Sequence, residues 1–208
     1  MCSRMVRTSE IRALCARFSV HARPPFSADP TWDLSAGDLT PAVRRRPRAR
    51  RELSLLRWGL VLDHPLFDST TLSIRAGALR RAALLESLFM GNRCIVPVDA
   101  FYMGPASWAK GARAWAFAME DAAMIGIAGL WAGDNFAIVS TSPNESVALM
   151  DETMPAILLP EDERIWLDPN ADFYDAYNLL KPFPAELMRA WPVAEDGGDG
   201  PDVLRRVA

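Results

Sequence analysis

The second residue of the chain is a cysteine, and its position offers chemistry that an internal cysteine lacks. A methionine followed by so small a residue is usually trimmed, which would leave Cys2 as the N-terminal residue. Its thiol and α-amine would then form a 1,2-aminothiol, with groups that titrate near ~8.5 and ~8 in unperturbed peptides. Either group is then partly nucleophilic at neutral pH. The alternative is a frayed and unimportant terminus, because chain ends are commonly poorly ordered.

The other reactive residue types form no conventional catalytic or metal-binding set. Cys2, Cys15 and Cys94 lack metal-type spacing, so we expect neither a zinc site nor a disulfide framework. No cofactor is expected either. His21 and His64 lie beside proline-containing, loop-like sequence and are expected at the surface. There is no G-x-S-x-G elbow to support a serine hydrolase and no glycine-rich phosphate loop.

Charge is distributed unevenly along the chain. Residues 1–100 contain 16 Arg and 9 Asp or Glu, whereas residues 101–208 contain 7 Lys or Arg and 17 Asp or Glu. Arginine binds phosphate in bidentate fashion and stacks on bases, so the basic half favours an anionic partner. A GC-rich genome, which raises arginine content everywhere, explains the same excess. The run RRRPRARR at 44–51 is either an arm that follows phosphates or a solvated loop.

The elements that must position these residues are predicted to be mainly short strands. Strands are predicted in ELSLLRWGLVL, RCIVPVDAFYM, ARAWAFAMED, AMIGIAGLWAG, NFAIVSTS and MPAILL. The turns EDAA and AGDN predict hairpin connections, and therefore a meandering antiparallel sheet.

Helices are fewer and shorter in this interpretation. SEIRALCARFSV has helical spacing behind a possible cap at Ser9, and residues 78–90 have an apolar helical face. SPNESVALM predicts a short helix capped by Ser142 or Asn144, and PEDERIWL predicts a helix start. The fold class is therefore α+β, a compact single domain over residues 1–208. Its core is a strand-rich, mostly antiparallel sheet or barrel-like structure with a few short flanking helices.

Composition indicates the class of protein and its expected cellular location. Half of the residues are hydrophobic and about a quarter are charged, as in ordinary globular proteins. The sequence has neither an apolar run long enough to span a membrane nor a signal peptide, so we expect a cytoplasmic protein without a membrane partner. The tail at 195–208 is predicted to be a loop.

Several stretches, taken in order, resemble the SOS response-associated peptidase (SRAP) family. MCSR is similar to that family's M-C-G-R start, FSADPT to Y-N-x-A-P-T, and LLRWGL to L-R-W-G-L. SIRA stands where the family has N-A-R-A, and RCIVPVDAFY resembles R-C-L-V-P-A-D-G-F-Y. AGLW follows, TSPNESVALMDETMPAILLPED resembles T-x-A-N … H-D-R-M-P-V-I-L-x-P-E-D, and WLD ends the match. The resemblance covers about residues 1–170.

The resemblance implies a protein of the DNA-damage response with a positively charged groove for single-stranded DNA. Family members capture abasic sites with the N-terminal cysteine, after self-removal of the methionine that precedes it. For Cys2, the α-amine would form an imine with the open-chain aldehyde, and the thiolate would close a thiazolidine ring. Joining both nucleophiles in one residue supplies an effective molarity on the order of 10⁵ M or more.

Individual family positions are retained unevenly. By similarity, Arg4 and Arg75 would bind the phosphates beside the lesion, and Trp58 would line the groove as a stacking surface or pack in the core. Ser73 replaces the asparagine of N-A-R-A, and Asp151 replaces the histidine that would help to open the sugar ring. Met103 stands at the family's glutamate position, where a methionine transfers no proton. Ser3 replaces the glycine that follows the cysteine.

Three functions remain open at this point. The first is an enzyme that crosslinks to abasic single-stranded DNA through Cys2, slowed by the replaced acid–base groups, whose help is typically ~10²–10⁴-fold. The second is a degenerate relative that binds single-stranded DNA or a repair partner without covalent chemistry. The third is a thiol hydrolase with an N-terminal nucleophile. The sequence leaves the oligomeric state open.

Overall fold

The computed structural model describes residues 2–45, 50–62, 70–104 and 114–193, together with residues 200 and 204. The strands are β1 (Arg4–Arg7), β2 (Thr31–Ser35), β3 (Leu39–Arg45), β4 (Arg51–Trp58), β5 (Ser73–Arg75), β6 (Arg93–Val98), β7 (Ala100–Met103), β8 (Ala114–Met119), β9 (Ile125–Ala132), β10 (Asn135–Thr141), β11 (Met154–Pro155), β12 (Ile157–Leu158) and β13 (Met188–Val193). The helices are α1 (Ile11–Arg17), α2 (Ala83–Gly91), α3 (Glu163–Trp166) and α4 (Phe173–Tyr177), with 3₁₀ turns at Ala76–Ala78 and Ala185–Leu187.

The larger sheet closes on itself as a barrel. Strands β4, β3, β6, β9 and β10 pair in that order, and β10 pairs back with β4. The pairings are antiparallel except those that β10 makes with β4 and with β5. This arrangement confirms the predicted strand-rich, mostly antiparallel, barrel-like fold.

A second sheet lies against the barrel. Its order is β13-β8-β7-β1-β2, and each neighbouring pair is antiparallel. Strands β1, β2 and β13 were not predicted, because RMVR, TWDLS and MRAWPV are short and interrupted by charged residues or proline. Such interruptions hide the alternation that identifies longer strands such as β9 and β10.

The two faces of the barrel strands are buried in different clusters. Along β10, Phe136 and Ile138 face the second sheet, whereas Ala137 and Val139 belong to the cluster that the helices cover. This alternation follows from the two-residue period of a strand. One buried face therefore packs against the sheet that contains the N-terminus, and the other packs against α1 to α4.

Two turn predictions had different outcomes. AGDN connects β9 to β10 as a hairpin, with Ala132 paired to Asn135 and Gly133 at φ +58°. EDAA makes no hairpin, because β8 belongs to the second sheet and β9 to the barrel. The flanking strands share no ladder, because the segment between them passes from one sheet to the other. Ala122 in this segment adopts a positive φ of 58°.

The helix predictions were also partly wrong. Residues 145–150 form successive turns rather than a helix, although Asn144 Oδ1 accepts from the Val147 N–H at 3.0 Å as a cap would. The predicted cap Ser9 does not cap α1, because its hydroxyl donates instead to Asp99 Oδ1 at 2.5 Å. The helix predicted over 78–90 begins only at Ala83.

The ends of the arginine run are ordered in strands. Arg44 lies in β3, where its Nε donates to Glu52 Oε1 at 2.9 Å and its guanidinium packs 4.5 Å from the Trp131 ring centroid. Arg51 lies in β4 and donates to the Phe18 carbonyl at 3.0 Å. Residues 46–49 lie outside the described residues, as does His64, whereas His21 is exposed. The described ends of the run therefore stabilise the fold. No described helix is long and apolar enough to cross a membrane.

Candidate functional site

The N-terminus is fixed by the strand that follows it. β1 lies inside the second sheet, where Arg4 pairs with Ser35 on one side and with Tyr102 on the other. Met5 continues both ladders and is fully buried. A terminal strand inserted between two others does not fray, because its backbone hydrogen bonds are made on both edges. Cys2 is thereby held at a defined place in the fold.

The Cys2 thiol is enclosed by apolar side chains. Its residue is 3% exposed and belongs to the cluster between the two sheets. The thiol donates to the Arg4 carbonyl oxygen at 3.5 Å. Burial raises the pKa of Cys2 to about 12, and the backbones of Arg4 and Tyr102 only partly offset this effect. At neutral pH the sulfur is therefore a protonated thiol in this structure.

The Arg4 guanidinium is held at the edge of this buried region. Its Nε donates to Asp33 Oδ1 at 2.5 Å, and its Cζ lies 5.3 Å from the Tyr102 ring centroid. Tyr102 is fixed in turn by a hydrogen bond from its hydroxyl to the Trp32 carbonyl at 3.1 Å. The Arg4 side chain is 20% exposed, so part of it still reaches solvent. A phosphate at this point would share Arg4 with Asp33.

Met103 belongs to the same region as Cys2. It ends β7 directly after Tyr102, is 1% exposed and packs in the cluster that contains Cys2. This position, at which the resemblance predicts a glutamate, is filled by an apolar side chain. No proton can be transferred from it to the Cys2 region.

A second group of site residues lies beside the barrel. Ser73 and Arg75 are on β5, which runs parallel to β10 with Ser73 opposite Ile138 and Arg75 opposite Ser140. Ile74 between them points into the core. The Ser73 hydroxyl oxygen is buried and has no hydrogen-bond partner among the described residues. Most buried polar atoms are paired, so this hydroxyl is an exception.

Arg75 is the exposed member of this group. Its side chain is 66% exposed, and a guanidinium nitrogen lies 3.9 Å from Glu152 Oε2, which is itself exposed. At that distance between two solvated groups the ion pair contributes little to stability. Arg75 is therefore available to an anion that competes with Glu152.

Asp151 closes the turn that leads to Glu152. Its Oδ1 accepts hydrogen bonds from the Thr153 N–H and from the Thr153 hydroxyl, both at 3.0 Å. The Asp151 N–H donates to the Val147 carbonyl at 3.0 Å. Asp151 thus orders the loop between residue 147 and β11, which brings Glu152 and Thr153 to the edge of a cavity.

This cavity has a volume of about 500 Å³ and a mixed polar lining. Its polar lining residues are Arg75, Arg81, Ser140, Thr141, Ser142, Glu152, Thr153 and Tyr177. Two guanidinium groups among several hydroxyls suit an anionic ligand with further hydrogen-bonding groups. Cys2, Arg4 and Met103 are not among its lining residues. The sequence-predicted site residues therefore fall into a buried group near Cys2 and a second group around Arg75, in which Arg75 lines the cavity whereas Ser73 and Asp151 do not.

The two groups meet at the apolar cluster between the sheets. Cys2 and Met103 contribute to it from the second sheet, and Val147 and Met154 contribute from the segments that flank Asp151. Val147 and Met154 therefore connect the loop that contains Asp151 to the cluster that contains Cys2.

The stacking role expected of Trp58 does not fit its position. Trp58 is fully buried, its Nε1 donates to the Leu72 carbonyl at 3.0 Å, and its ring stacks on Phe136 at 6.3 Å between centroids. A ring enclosed in this way offers no face to a base. This environment agrees with the alternative prediction, in which Trp58 packs in the core.

Sequence reasoning missed the partners that restrain the two arginines. Asp33 holds Arg4 and Glu152 lies beside Arg75, yet neither carboxylate stands at a recognisable spacing from its partner. Arg81 and Tyr177 were missed for the same reason, because only the fold brings them to the Arg75 cavity. The one available signal was the basic charge of the first hundred residues.

Comparison with known proteins gives consistent matches along the chain. The family model described as SOS response associated peptidase (SRAP) matches residues 1–198. Abasic site processing protein YoqW of Bacillus subtilis (strain 168) is 26% identical, with 93% of this chain and 92% of that protein covered. Abasic site processing protein YoaM of the same organism is 24% identical, with 93% and 91% covered.

Two solved structures share the fold. A protein from Bacteroides thetaiotaomicron has a TM-score of 0.85 at 20% identity, with 100% of both chains covered. A phage-related protein from Bordetella bronchiseptica has a TM-score of 0.74 at 22% identity, with 92% of this chain and 94% of the other covered.

Proposed function

The chain belongs to the SOS response associated peptidase family, and on that basis we propose that it captures abasic sites in single-stranded DNA through Cys2. Two relatives that match most of the chain are named abasic site processing proteins. In this proposal Met1 is removed by the protein itself, and the new α-amine of Cys2 then reacts with the lesion. Arg4 and Arg75 bind the phosphates on either side.

The observation that carries the proposal is the anchoring of Cys2. β1 is paired on both edges, and Cys2 lies between the two sheets, where its thiol donates to the Arg4 carbonyl oxygen. A terminal cysteine without a function has no need of such a position, whereas a nucleophile needs a fixed geometry relative to its substrate. This argues against the frayed terminus considered from sequence alone.

The chemistry starts at the amine, because the Cys2 thiol is protonated at neutral pH. The amine adds to the open-chain aldehyde of the abasic deoxyribose and water leaves, which gives an imine. The thiol sulfur then bonds to the imine carbon, and the thiol proton ends on the nitrogen, so that a thiazolidine forms without any oxidant. As long as Cys2 stays buried, burial raises the pKa of its thiol, so the second step depends on a local change in solvation or on a proton acceptor.

Ser73 and Asp151 are the residues we propose to assist this reaction. The unpartnered hydroxyl of Ser73 can donate to an oxygen of the sugar once DNA is bound. Asp151, ordered by Thr153, would serve as the proton acceptor. Met103 contributes packing alone.

A second candidate function is a non-covalent binding module for single-stranded DNA or for a repair partner. It is favoured by one observation, the 3% exposure of Cys2 beside an apolar Met103. In this alternative the phosphate-binding arginines are retained and the cysteine is a relic of an active ancestor.

One experiment separates the two candidates. The purified protein is incubated with a single-stranded oligonucleotide that carries one abasic site, and adducts are resolved on a denaturing gel. We expect an adduct with the wild type that disappears in Cys2→Ser and persists in Cys15→Ser. Cys15 is the matched control, because it has a thiol without an α-amine.

The other outcomes assign the alternative or exclude both. Salt-sensitive binding with no adduct supports the non-covalent module. An intact mass that retains Met1 counts against the covalent mechanism, because the α-amine of Cys2 is then blocked. An absence of binding at low salt would exclude both DNA functions.

A further inference from the structure

An arginine and two tyrosines form an exposed basic-aromatic surface next to the Arg75 cavity. We call Arg80, Tyr174 and Tyr177 the α4 platform, since both tyrosines belong to that helix. The Arg80 Cζ lies 5.9 Å from each of the two ring centroids. Tyr174 is 57% exposed, which is unusual for so large an aromatic side chain.

The platform is rigidly attached to the core. Phe173 stacks on Tyr177 at 5.5 Å and meets Tyr174 edge-on at 5.5 Å between centroids. Phe89, which is fully buried in α2, contacts Phe173 at 5.0 Å. The exposed ring of Tyr174 is therefore linked to the core through Phe173 and Phe89.

The platform is continuous with the candidate DNA site. Tyr177 lines the Arg75 cavity together with Arg81, the residue that follows Arg80. The surface from Arg75 to Tyr174 thus combines three arginines with two aromatic rings. Carboxylates of the same region include Glu152 beside Arg75, Asp172, which caps α4, and Asp175 on α4, all of them exposed.

We propose that the α4 platform binds bases of single-stranded DNA on one side of the abasic site. Surfaces that bind single strands combine cationic side chains along the backbone with aromatic rings on which bases stack. Arg75 and Arg81 would follow the backbone out of the cavity, and Tyr174 would stack on an unpaired base. The Arg80 guanidinium, which lies over the Tyr174 ring, would stabilise this stack through a cation–π contact. This inference rests on the proposed function and extends it to the DNA beyond the lesion.

The test uses 2-aminopurine, a fluorescent base that is quenched when it stacks on an aromatic ring. Single-stranded oligonucleotides carry one abasic site and a 2-aminopurine at one to six nucleotides on its 5′ or its 3′ side. We expect quenching at one or two neighbouring positions on one side of the lesion. Tyr174→Ala should abolish this quenching and weaken binding about 5- to 150-fold, the range expected for one stacked base.

Two further variants and one control make the result specific. Tyr174→Phe should retain the quenching, because the ring is preserved, and Arg80→Ala should reduce it in part. Arg189→Ala is the matched control, since Arg189 also lies over an aromatic ring, 5.3 Å from the Trp191 centroid, but on β13. We expect that control to bind and quench as the wild type does.

The outcomes also separate this inference from the proposed function. A Cys2 adduct with no quenching at any position, or with quenching unchanged in Tyr174→Ala, would overturn the platform and leave covalent capture intact. Quenching without an adduct would support the platform and the non-covalent module. Complete lack of binding would overturn both.

Discussion

The Cys2 region and the Arg75 region differ in nearly every physical respect, although both are assigned to one site. Cys2 is enclosed between two sheets, and burial raises the pKa of its thiol. Arg75 is 66% exposed at the edge of a cavity of about 500 Å³ and lies beside a solvated carboxylate. One region contains the reactive group, and the other contains groups suited to recognition.

This difference indicates how a reactive end can be protected. A 1,2-aminothiol reacts with many aldehydes in solution, so an open Cys2 would be consumed without selectivity. Burial keeps the sulfur in its less reactive protonated form until something changes its surroundings.

The largest expected effect tests whether Trp58 belongs to the buried region. Trp58→Ala should lower the free energy of unfolding by about 3–5 kcal/mol, because it removes a fully buried ring and leaves a cavity. DNA affinity of the folded fraction should be unchanged. Urea denaturation and fluorescence anisotropy measure the two quantities. Reduced affinity at unchanged stability would instead place Trp58 in the DNA groove.

The next effect concerns the buried thiol. Because the folded-state pKa of Cys2 is raised to about 12, its contribution to stability is complete below the pKa of the unfolded thiol. That contribution is lost as the pH rises from ~8.5 towards 12, at up to about 1.4 kcal/mol per pH unit. The stability of the wild type should therefore fall more steeply than that of Cys2→Ala between pH 9 and pH 10.5. Parallel pH profiles would show that the thiol is not desolvated.

The smallest effect on stability is expected at Arg75. Arg75→Ala should change the free energy of unfolding by no more than about 0.5 kcal/mol, because its ion pair with Glu152 is exposed. Binding to single-stranded DNA should weaken. The slope of the logarithm of the binding constant against the logarithm of the salt concentration should decrease by about one, which corresponds to one phosphate contact. Glu152→Gln is the informative partner variant, since removing the competing carboxylate should strengthen binding. An unchanged salt slope in Arg75→Ala would remove Arg75 from the interface.

Local patterns predicted the parts of the fold that depend on local interactions. The apolar runs identified β6, β9 and β10, and the glycine turn at 132–135 identified the hairpin between β9 and β10. The EDAA turn was assigned wrongly, because a turn has similar composition whether the chain stays in one sheet or crosses to another. β1 was missed because four residues with an arginine at each end show no apolar alternation, and its partners are 30 and nearly 100 residues away.

The sequence by itself determined the strand-rich composition, the family and the identity of the residues that could react. Those properties depend on the residue types and their order, both of which are read directly from the sequence. Only the tertiary structure decided that Cys2 is buried, that Trp58 packs on Phe136 and that Arg75 faces an open cavity. Exposure and desolvation depend on which distant segments cover a side chain, and that covering comes from long-range packing between two sheets that no local pattern encodes.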